Sequence, residues 1–291
     1  MSKQRCVAGA VAIALLAVTP AVAADQPVLP LQPQLGGYVG PAPAFVPFAG
    51  AVSFADWRGF YIGGLASYSN VDADFSNATR APIAASLQQT QLQAQYAPSN
   101  WQVLSSAASG TPGFGGFAGY NFEYLSPYGK VVLGVEGNYE HTMLSLVAPN
   151  TPISRVVTLN SGTVNDVSIT GGGTLTGLDF GTLRGRAGWD FNGFLPYMFA
   201  GLAVGATNLD ITETTTVVQN PGTPQAATFV FPGTAGRSTE WLWGYAVGAG
   251  LDVALTQNFF LRGEYEYVQF QPIANTPINM NSVRVGAGFK F

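Results

Sequence analysis

The chain ends in an alternating stretch that reads Ser282-Val283-Arg284-Val285-Gly286-Ala287-Gly288-Phe289-Lys290-Phe291. Its odd-numbered positions are apolar, whereas its even-numbered positions carry serine, glycine, arginine or lysine. A period of two is that of a β-strand, and it places the two sets on opposite faces. In outer-membrane barrels the apolar face meets lipid, because a Lys or Arg there costs roughly 2–4 kcal/mol at the midplane. The stretch therefore predicts a membrane strand whose inner face carries Arg284 and Lys290.

The composition supports a membrane protein without membrane helices. Only 10% of the 291 residues are charged and 47% are hydrophobic, with a mean hydropathy of +0.20, whereas soluble chains average about 25% charged residues. Beyond the N-terminal region, no stretch supplies the roughly twenty apolar residues that a spanning helix needs. Because only helices and closed barrels satisfy every backbone group in lipid, we predict a barrel. The net charge of −4 gives no indication of a nucleic-acid partner.

The N-terminal region has the features of an exported protein. Residues 1–24 combine Lys3 and Arg5, an apolar core and the small-residue site Ala21-Val22-Ala23, which predicts a cleaved signal peptide rather than an anchor helix. Its removal takes away Cys6, the one cysteine, so disulfides and thiolate metal sites are not expected. Residues 25–56 are rich in Pro, Gly and Ala and predict a periplasmic linker, with an extended partner-binding strand as the alternative. The barrel is expected to occupy residues 57–291.

Eight strands are predicted from the alternation and the turn signals: 57–75, 113–125, 130–147, 175–191, 195–210, 240–255, 259–270 and 282–291. Short, turn-prone links join some of them, at residues 126–129, 192–194 and 256–258. Long segments join the others, at 76–112, 148–174, 211–239 and 271–281. Short periplasmic turns that alternate with long outer loops are typical of these barrels. The predicted fold is thus an all-β, eight-stranded antiparallel transmembrane β-barrel with long extracellular loops and both ends on the periplasmic side.

Two of the long loops contain hairpin patterns. Residues 156–159 and 164–170 flank one glycine-containing turn, and residues 214–218 and 227–231 flank another. We expect these hairpins to prolong the barrel strands above the membrane. Two additional membrane strands, giving ten, are the alternative, and it is less favoured because the threonine-rich segments lack aromatic residues at their ends.

The face assignment predicts a charged interior and an aromatic outer rim. The expected interior charge network consists of Glu136, Glu140, Arg184, Arg186, Asp190, Asp252, Arg262, Glu264, Glu266, Arg284 and Lys290. Both signs occur together, and an eight-stranded barrel leaves room for little more than side chains, so a filled interior is favoured over an ion-selective pore lining. An outer aromatic girdle is expected at Trp241, Trp243 and Tyr245.

Several strand motifs resemble a known family. They are Trp57-Arg58-Gly59-Phe60-Tyr61-Ile62-Gly63-Gly64, Gly115–Asn121, Gly181–Gly188, Gly244–Gly250 and the terminal Val285–Phe291. In this order they are similar to the outer-membrane immunogenic, or porin-family, β-barrel proteins of alphaproteobacteria, which are small surface antigens. The resemblance implies an integral outer-membrane protein, in contact with lipid and lipopolysaccharide, that supports the envelope. It also implies recognition by the barrel-assembly machinery through Val285, Phe289 and Phe291. Some relatives are described as haem-binding and some as weak porins.

Catalysis is not expected from this sequence. The one histidine, His141, lies four residues from Ser145, roughly 13 Å along an extended strand, which is too far for a base and its nucleophile. One histidine without cysteine cannot assemble a metal cluster, and no cofactor is predicted. Haem ligation by His141 with a loop tyrosine such as Tyr96 remains an alternative. The leading hypothesis is a structural surface barrel, followed by a small-solute porin and a haem- or host-binding protein.

Overall fold

Nine β-strands form one antiparallel sheet in the computed structural model, which describes residues 56–127 and 129–291, with only the backbone at 237 and 238. The signal-peptide prediction and all but the last residue of the predicted linker lie outside these residues. The strands are β1 (Gly59–Asp74), β2 (Ser106–Ser126), β3 (Gly129–Val147), β4 (Ile153–Thr158), β5 (Val164–Asp190), β6 (Phe194–Gln219), β7 (Ala227–Ala254), β8 (Phe259–Ile273) and β9 (Thr276–Lys290).

Eight of the strands close into a ring. The sheet order is β3-β2-β1-β9-β8-β7-β6-β5-β4, and an additional pairing between β3 and β5 joins the two sides. The first and last strands pair from Tyr61 opposite Lys290 to Ala73 opposite Ile278. Beyond β9, the Phe291 backbone N–H donates to the Phe60 carbonyl oxygen at 3.0 Å. The predicted eight-stranded antiparallel arrangement is therefore confirmed.

The predicted short links are confirmed, but the long segment predicted at residues 271–281 is wrong, because β8 and β9 extend through it and meet at a two-residue turn. Short links follow β2, β5 and β7, and the link after β5 contains Asn192 and Gly193 with φ of 53° and 96°. At the opposite end, a two-residue turn joins β8 to β9 through Ala274 and Asn275, with φ of 46° and 61°. Positive φ at both central residues is what a type I′ hairpin turn requires. Within the described ranges, none of the helices has the length and apolar character needed to cross a membrane.

The two predicted loop hairpins prolong ring strands, as expected. β4 pairs with the start of β5, and the distal parts of β6 and β7 pair with each other up to Gln219 opposite Ala227. β4 lies beside β5 outside the ring, so the ten-strand alternative is wrong. Irregularities in pairing occur at Thr176/Leu178 in β5 and Thr207/Leu209 in β6. They lie where the long strands pass from the ring into their extensions.

The loop after β1 contains helices that the strand analysis did not predict. Helix α1 spans Arg80–Ser86, α2 spans Gln91–Tyr96, and a 3₁₀ turn spans Pro98–Asn100. Thr90 caps α2 by accepting a hydrogen bond from the Gln93 backbone N–H at 3.1 Å. A Thr followed three residues later by Gln is the sequence signature of such a cap, so a local signal for α2 was present. We call residues 76–105 the cap segment.

The close approach of strands in the ring can be tested at Gly115. A Cβ atom on Gly115 would overlap the Tyr139 carbonyl oxygen, whereas a Cβ on Gly137 of the neighbouring strand meets nothing within 4 Å. We expect Gly115→Ala to lower the free energy of unfolding by about 2 kcal/mol because of this overpacking. Urea unfolding of the refolded protein in detergent measures it. Gly137→Ala is the matched control, and equal losses in the two variants would contradict the strand spacing described here.

Candidate functional site: the ring interior

The inward-facing side chains of the ring form a charged cluster in its lower half, between the short turns and the middle of the strands. We call it the interior charge cluster: four arginines with five carboxylates, namely Arg184, Arg186, Arg262, Arg284, Glu136, Glu140, Asp252, Glu264 and Glu266. Their side chains are only 0–1% exposed. Charges that are removed from water at this level have to be paired, and each member of the cluster has at least one partner of opposite sign.

Arg262 and Arg186 share two carboxylates. The Arg262 guanidinium donates to both oxygens of Asp252, at 2.8 and 2.9 Å, and to Glu136 Oε2 at 2.7 Å. Arg186 donates to Asp252 Oδ2 at 2.6 Å and to Glu136 Oε2 at 3.2 Å. Because the planar guanidinium offers five fixed donors, two arginines can bridge β3 to β7 through these acids.

Arg184 and Arg284 hold the remaining acids. Arg184 donates to Glu136 Oε1 and Glu264 Oε1, each at 2.5 Å, and to Glu266 Oε1 at 3.3 Å. Arg284 forms ion pairs with Glu266 and, at 2.9 Å, with Glu140. The cluster thus runs without a break from Asp252 to Glu140.

Aromatic rings pack between the charges. The guanidinium carbon of Arg184 lies 3.8 Å from the ring centre of Phe199, that of Arg186 lies 3.8 Å from Tyr197, and that of Arg262 lies 4.0 Å from Phe117. Stacking on an aromatic face suits a guanidinium, which is weakly hydrated. The Tyr197 hydroxyl also donates to Glu264 Oε1 at 2.5 Å, and the Tyr61 hydroxyl donates to Glu136 Oε2 at 2.6 Å. Rings and ion pairs together fill the lower interior.

Two members of the predicted charge network lie outside the cluster. Asp190 lies at the turn end of β5, where it accepts a hydrogen bond from Trp57 Nε1 at 3.1 Å and lies 3.9 Å from Lys130 Nζ. Lys290 lies at the same end of β9 and is only partly buried. The alternation correctly assigned strand faces, but it does not measure depth within the ring, so it grouped these end residues with the buried set.

The upper interior is apolar, which the sequence analysis did not anticipate. Buried side chains from β1, β3, β5, β6, β7, β8 and β9 form one hydrophobic cluster that includes Val71, Leu144, Leu175, Ile211, Leu242, Phe270 and Met280. Each is at most 3% exposed. The outward residues of β6 change here from Leu202 and Ala206 to Asn208 and Asp210. The upper parts of the strands are therefore surrounded by water rather than lipid, and a hydrophobic core stabilises them.

The cap segment covers the upper interior. Ile83 and Leu87 of the α1 region pack against Val167, Ile169 and Val217 of the extended strands. Beneath α1, the buried Glu213 carboxylate accepts hydrogen bonds from Ser86 Oγ and Thr215 Oγ1, each at 2.9 Å. Glu213 lies seven positions beyond Ala206, above the lipid-facing stretch. Burial raises the pKa of its carboxyl above the usual value, although the two hydroxyl donors act in the opposite direction.

The outer surface carries the predicted rim and terminal residues. Trp241, Trp243 and Tyr245 all point outward from β7, with 66%, 60% and 47% of their surface exposed. Val285 and Phe291 are also exposed on the outside, and Phe289 packs against Phe291 with ring centres 5.1 Å apart. These positions agree with the predicted faces; their roles as a girdle and as an assembly signal stay predictions.

His141 lies on the outer surface too. Its Nδ1 is 2.6 Å from Asp179 Oδ1, which also accepts a hydrogen bond from the Tyr139 hydroxyl at 3.0 Å. The Tyr96 hydroxyl donates to the Thr158 carbonyl oxygen at 2.5 Å. The two side chains considered for haem ligation are therefore each engaged in other contacts. Over residues 56–127 and 129–291, no cluster of His, Cys, Asp and Glu side chains has the arrangement of a metal site.

Comparisons with known proteins agree with this architecture. A family profile described as "Outer membrane protein beta-barrel domain" matches residues 9–291. The "22 kDa outer membrane protein" of Rhizobium leguminosarum bv. viciae is 27% identical over 245 residues, which cover 81% of this chain and 78% of that protein. The "25 kDa outer-membrane immunogenic protein" of Brucella ovis is 27% identical over 177 residues, which cover 61% of this chain and 62% of that protein. The chain thus spans about three fifths of the Brucella relative.

Two solved structures share a low similarity with this chain. Neisserial surface protein A is 14% identical with a TM-score of 0.35, and the match covers 80% of this chain and 97% of that one. The attachment invasion locus protein of Yersinia pestis, Ail, is 13% identical with a TM-score of 0.33, covering 80% and 99%.

The interior charge cluster can be tested at Arg262. Arg262→Met removes two hydrogen bonds from Asp252 and one from Glu136, and breaking a buried pair in this way costs about 3–5 kcal/mol. Lys130→Met is the control, because it removes a partly exposed pair with Glu123 at 2.7 Å and should cost less than about 1 kcal/mol. Urea unfolding of refolded protein compares the two. A loss at Arg262 no larger than that at Lys130 would contradict the described network.

The raised pKa of Glu213 predicts a pH dependence for the cap segment. A carboxyl whose folded pKa is raised stabilises the fold below its unfolded pKa, and this contribution is lost as the pH rises through the folded pKa. We therefore expect Glu213→Gln to slow hydrogen–deuterium exchange of residues 80–86 several-fold at pH 7, with little difference from wild type near pH 4. Asp210→Asn, on the outer face of the same strand, is the control. Faster exchange in Glu213→Gln at pH 7 would show that the carboxylate supports the cap.

Proposed function

We propose a function from the premise that this chain belongs to the outer membrane protein beta-barrel domain family: it is a surface protein that supports the envelope and is closed to solutes. The family membership confirms the resemblance drawn from the strand motifs and the outer-membrane location. The structural role and the closed interior are our proposals.

The interior charge cluster is the observation that carries the proposal of a closed barrel. A conducting pore needs a continuous water-filled path, and ion selectivity comes from side chains that line it. Here the charged side chains are 0–1% exposed and bind one another, and the apolar cluster above them is equally inaccessible to water. A solute would have to separate several buried ion pairs and then cross an apolar core.

The outer surface supports the proposed partners. Large apolar side chains face outward on many strands, for example Phe60, Leu183, Met198, Leu202 and Leu261. Such a surface is suited to lipid, and the rim above it is suited to lipopolysaccharide. The exposed terminal residues Val285 and Phe291 are available to the barrel-assembly machinery during insertion. We further propose that the protein is not an enzyme. Among the hydrogen bonds of the described residues, the His141 imidazole bonds only to Asp179, so it is not paired with a nucleophile.

Planar-bilayer recording tests the closed interior. We expect purified protein to give no steady conductance steps at 1 M salt, while a wide general porin in the same bilayer gives large ones, because wide porins enclose an aqueous channel. Steady, large openings would overturn the proposal and favour the small-solute porin.

A second variant identifies which part of the molecule closes the barrel. Deletion of residues 80–100 removes both helices of the cap segment but leaves the interior charge cluster in place. Conductance should stay absent in this variant. Openings that appear only after the deletion would show that the cap, and not the interior, closes the barrel.

A further inference from the structure

A cleft that opens to solvent on one side lies above the ring, between the cap segment and the extended hairpins. Its volume is about 310 Å³, which is at the lower end of the range for small-molecule sites. The helical side of its wall includes Leu87 and Leu92, and the strand side includes Val217 and Phe231. The strand side also carries Phe229 beside Phe231, and aromatic rings pack favourably against a flat ring.

The cleft is held open by contacts between its walls. The Tyr96 hydroxyl of α2 donates to the Thr158 carbonyl oxygen at 2.5 Å, and the Asn160 backbone N–H donates to Gln95 Oε1 at 3.0 Å. The first bond joins α2 to the end of β4, and the second joins it to the turn that follows. Because the walls are fixed before any ligand arrives, binding would require little ordering of the protein.

Asn165 gives the cleft a polar group without a protein partner. This residue of β5 lines the cleft and is 1% exposed, and its Oδ1 atom accepts no hydrogen bond from the described residues. A buried polar atom left unpaired in this way costs about 1–3 kcal/mol. Rotation about the broad terminal torsion of the asparagine turns either end of the amide toward the cleft. A ligand hydroxyl, which both donates and accepts, would satisfy it in either orientation.

The remaining lining excludes a charged ligand. None of the lining side chains is ionisable; the deep part is apolar, and the mouth carries Gln91, Ser161 and Gln219. A charge in the apolar part would lose its hydration without finding a counter-charge. The ligand should therefore be neutral, with a compact apolar body, one hydroxyl group at its inner end and a polar group at its outer end.

We propose that this cleft binds a neutral phenolic compound. Its ring lies between the leucines of the cap segment and Val217, its hydroxyl group bonds the Asn165 amide, and a polar substituent such as a sugar reaches the mouth. The site is separate from the interior charge cluster, so it does not depend on whether the barrel conducts.

Two water-soluble glycosides test the proposal. 4-Hydroxyphenyl β-D-glucopyranoside carries the phenolic hydroxyl, and phenyl β-D-glucopyranoside lacks it; both are neutral, and their sugar keeps them out of lipid. We expect isothermal titration calorimetry of the full chain in nanodiscs to show saturable binding of the hydroxylated compound. It should bind about tenfold more tightly than the other, because one buried hydrogen bond is gained.

Three variants locate the binding. Asn165→Leu should abolish the preference for the hydroxylated glycoside. Ser161→Trp, at the exposed mouth, should fill the cleft and remove binding of both compounds. Thr228→Trp adds the same side chain at an exposed position of the neighbouring hairpin outside the cleft and should bind like wild type.

Several outcomes would overturn the proposal: no saturable binding by wild type, equal affinities for the two glycosides, or unchanged binding in Ser161→Trp. Folding of each variant is checked by its heat-modifiable mobility on gels. If Asn165→Leu does not fold, the comparison of Ser161→Trp with Thr228→Trp still decides, because both substitutions are at exposed positions. None of these results bears on conductance, so failure here leaves the closed-barrel proposal to its own experiment.

Discussion

The pairing of buried charges is the constraint on which the rest of the structure depends. The interior charge cluster draws its members from β3, β5, β7, β8 and β9, and none of them can reach water. Since side chains alternate between faces, a slip of one residue in any of these strands would turn a charged side chain toward lipid and leave its partners in the cluster unpaired. The cluster therefore selects one strand register for most of the ring, whereas the apolar outer faces are compatible with many registers.

The limits of prediction from sequence follow from the same geometry. Period-two alternation identifies which face a residue occupies, and this is why Arg184, Glu264 and Arg284 were correctly predicted to point inward. It carries no information on height along the ring, so Asp190 and Lys290 were grouped with residues that lie deeper. The contacts between Arg262 and Glu136 join residues far apart in sequence, and no local pattern states which acid meets which base.

The apolar upper core and the cap segment were missed for a different reason. The lipid environment explains the parts of the ring strands whose outer faces are apolar, but it does not apply to the distal halves of β5, β6 and β7, which form a sheet in water with its own core. Leu175, Leu209 and Ile211 do alternate with polar residues in the sequence. The alternation alone does not say whether these apolar residues face lipid or a buried core. That depends on where the lipid-facing stretch ends, which is near Ala206 and Asp179. The Thr90–Gln93 capping signal was readable, but it is short and lies within a long loop.

The pairing of β1 with β9 has a consequence for how the molecule is made. These strands are neighbours in space and lie at opposite ends of the described chain, so their contacts have a very large separation in sequence. Such contacts form late in folding, because the entropy of closing a long loop is lost before the contacts stabilise the chain. Until β9 is in place, β1 and β8 each keep an open edge able to pair with other chains. The chain therefore has to be kept apart from other chains until β9 is in place. When β9 pairs with β1 and β8, both open edges disappear in one step.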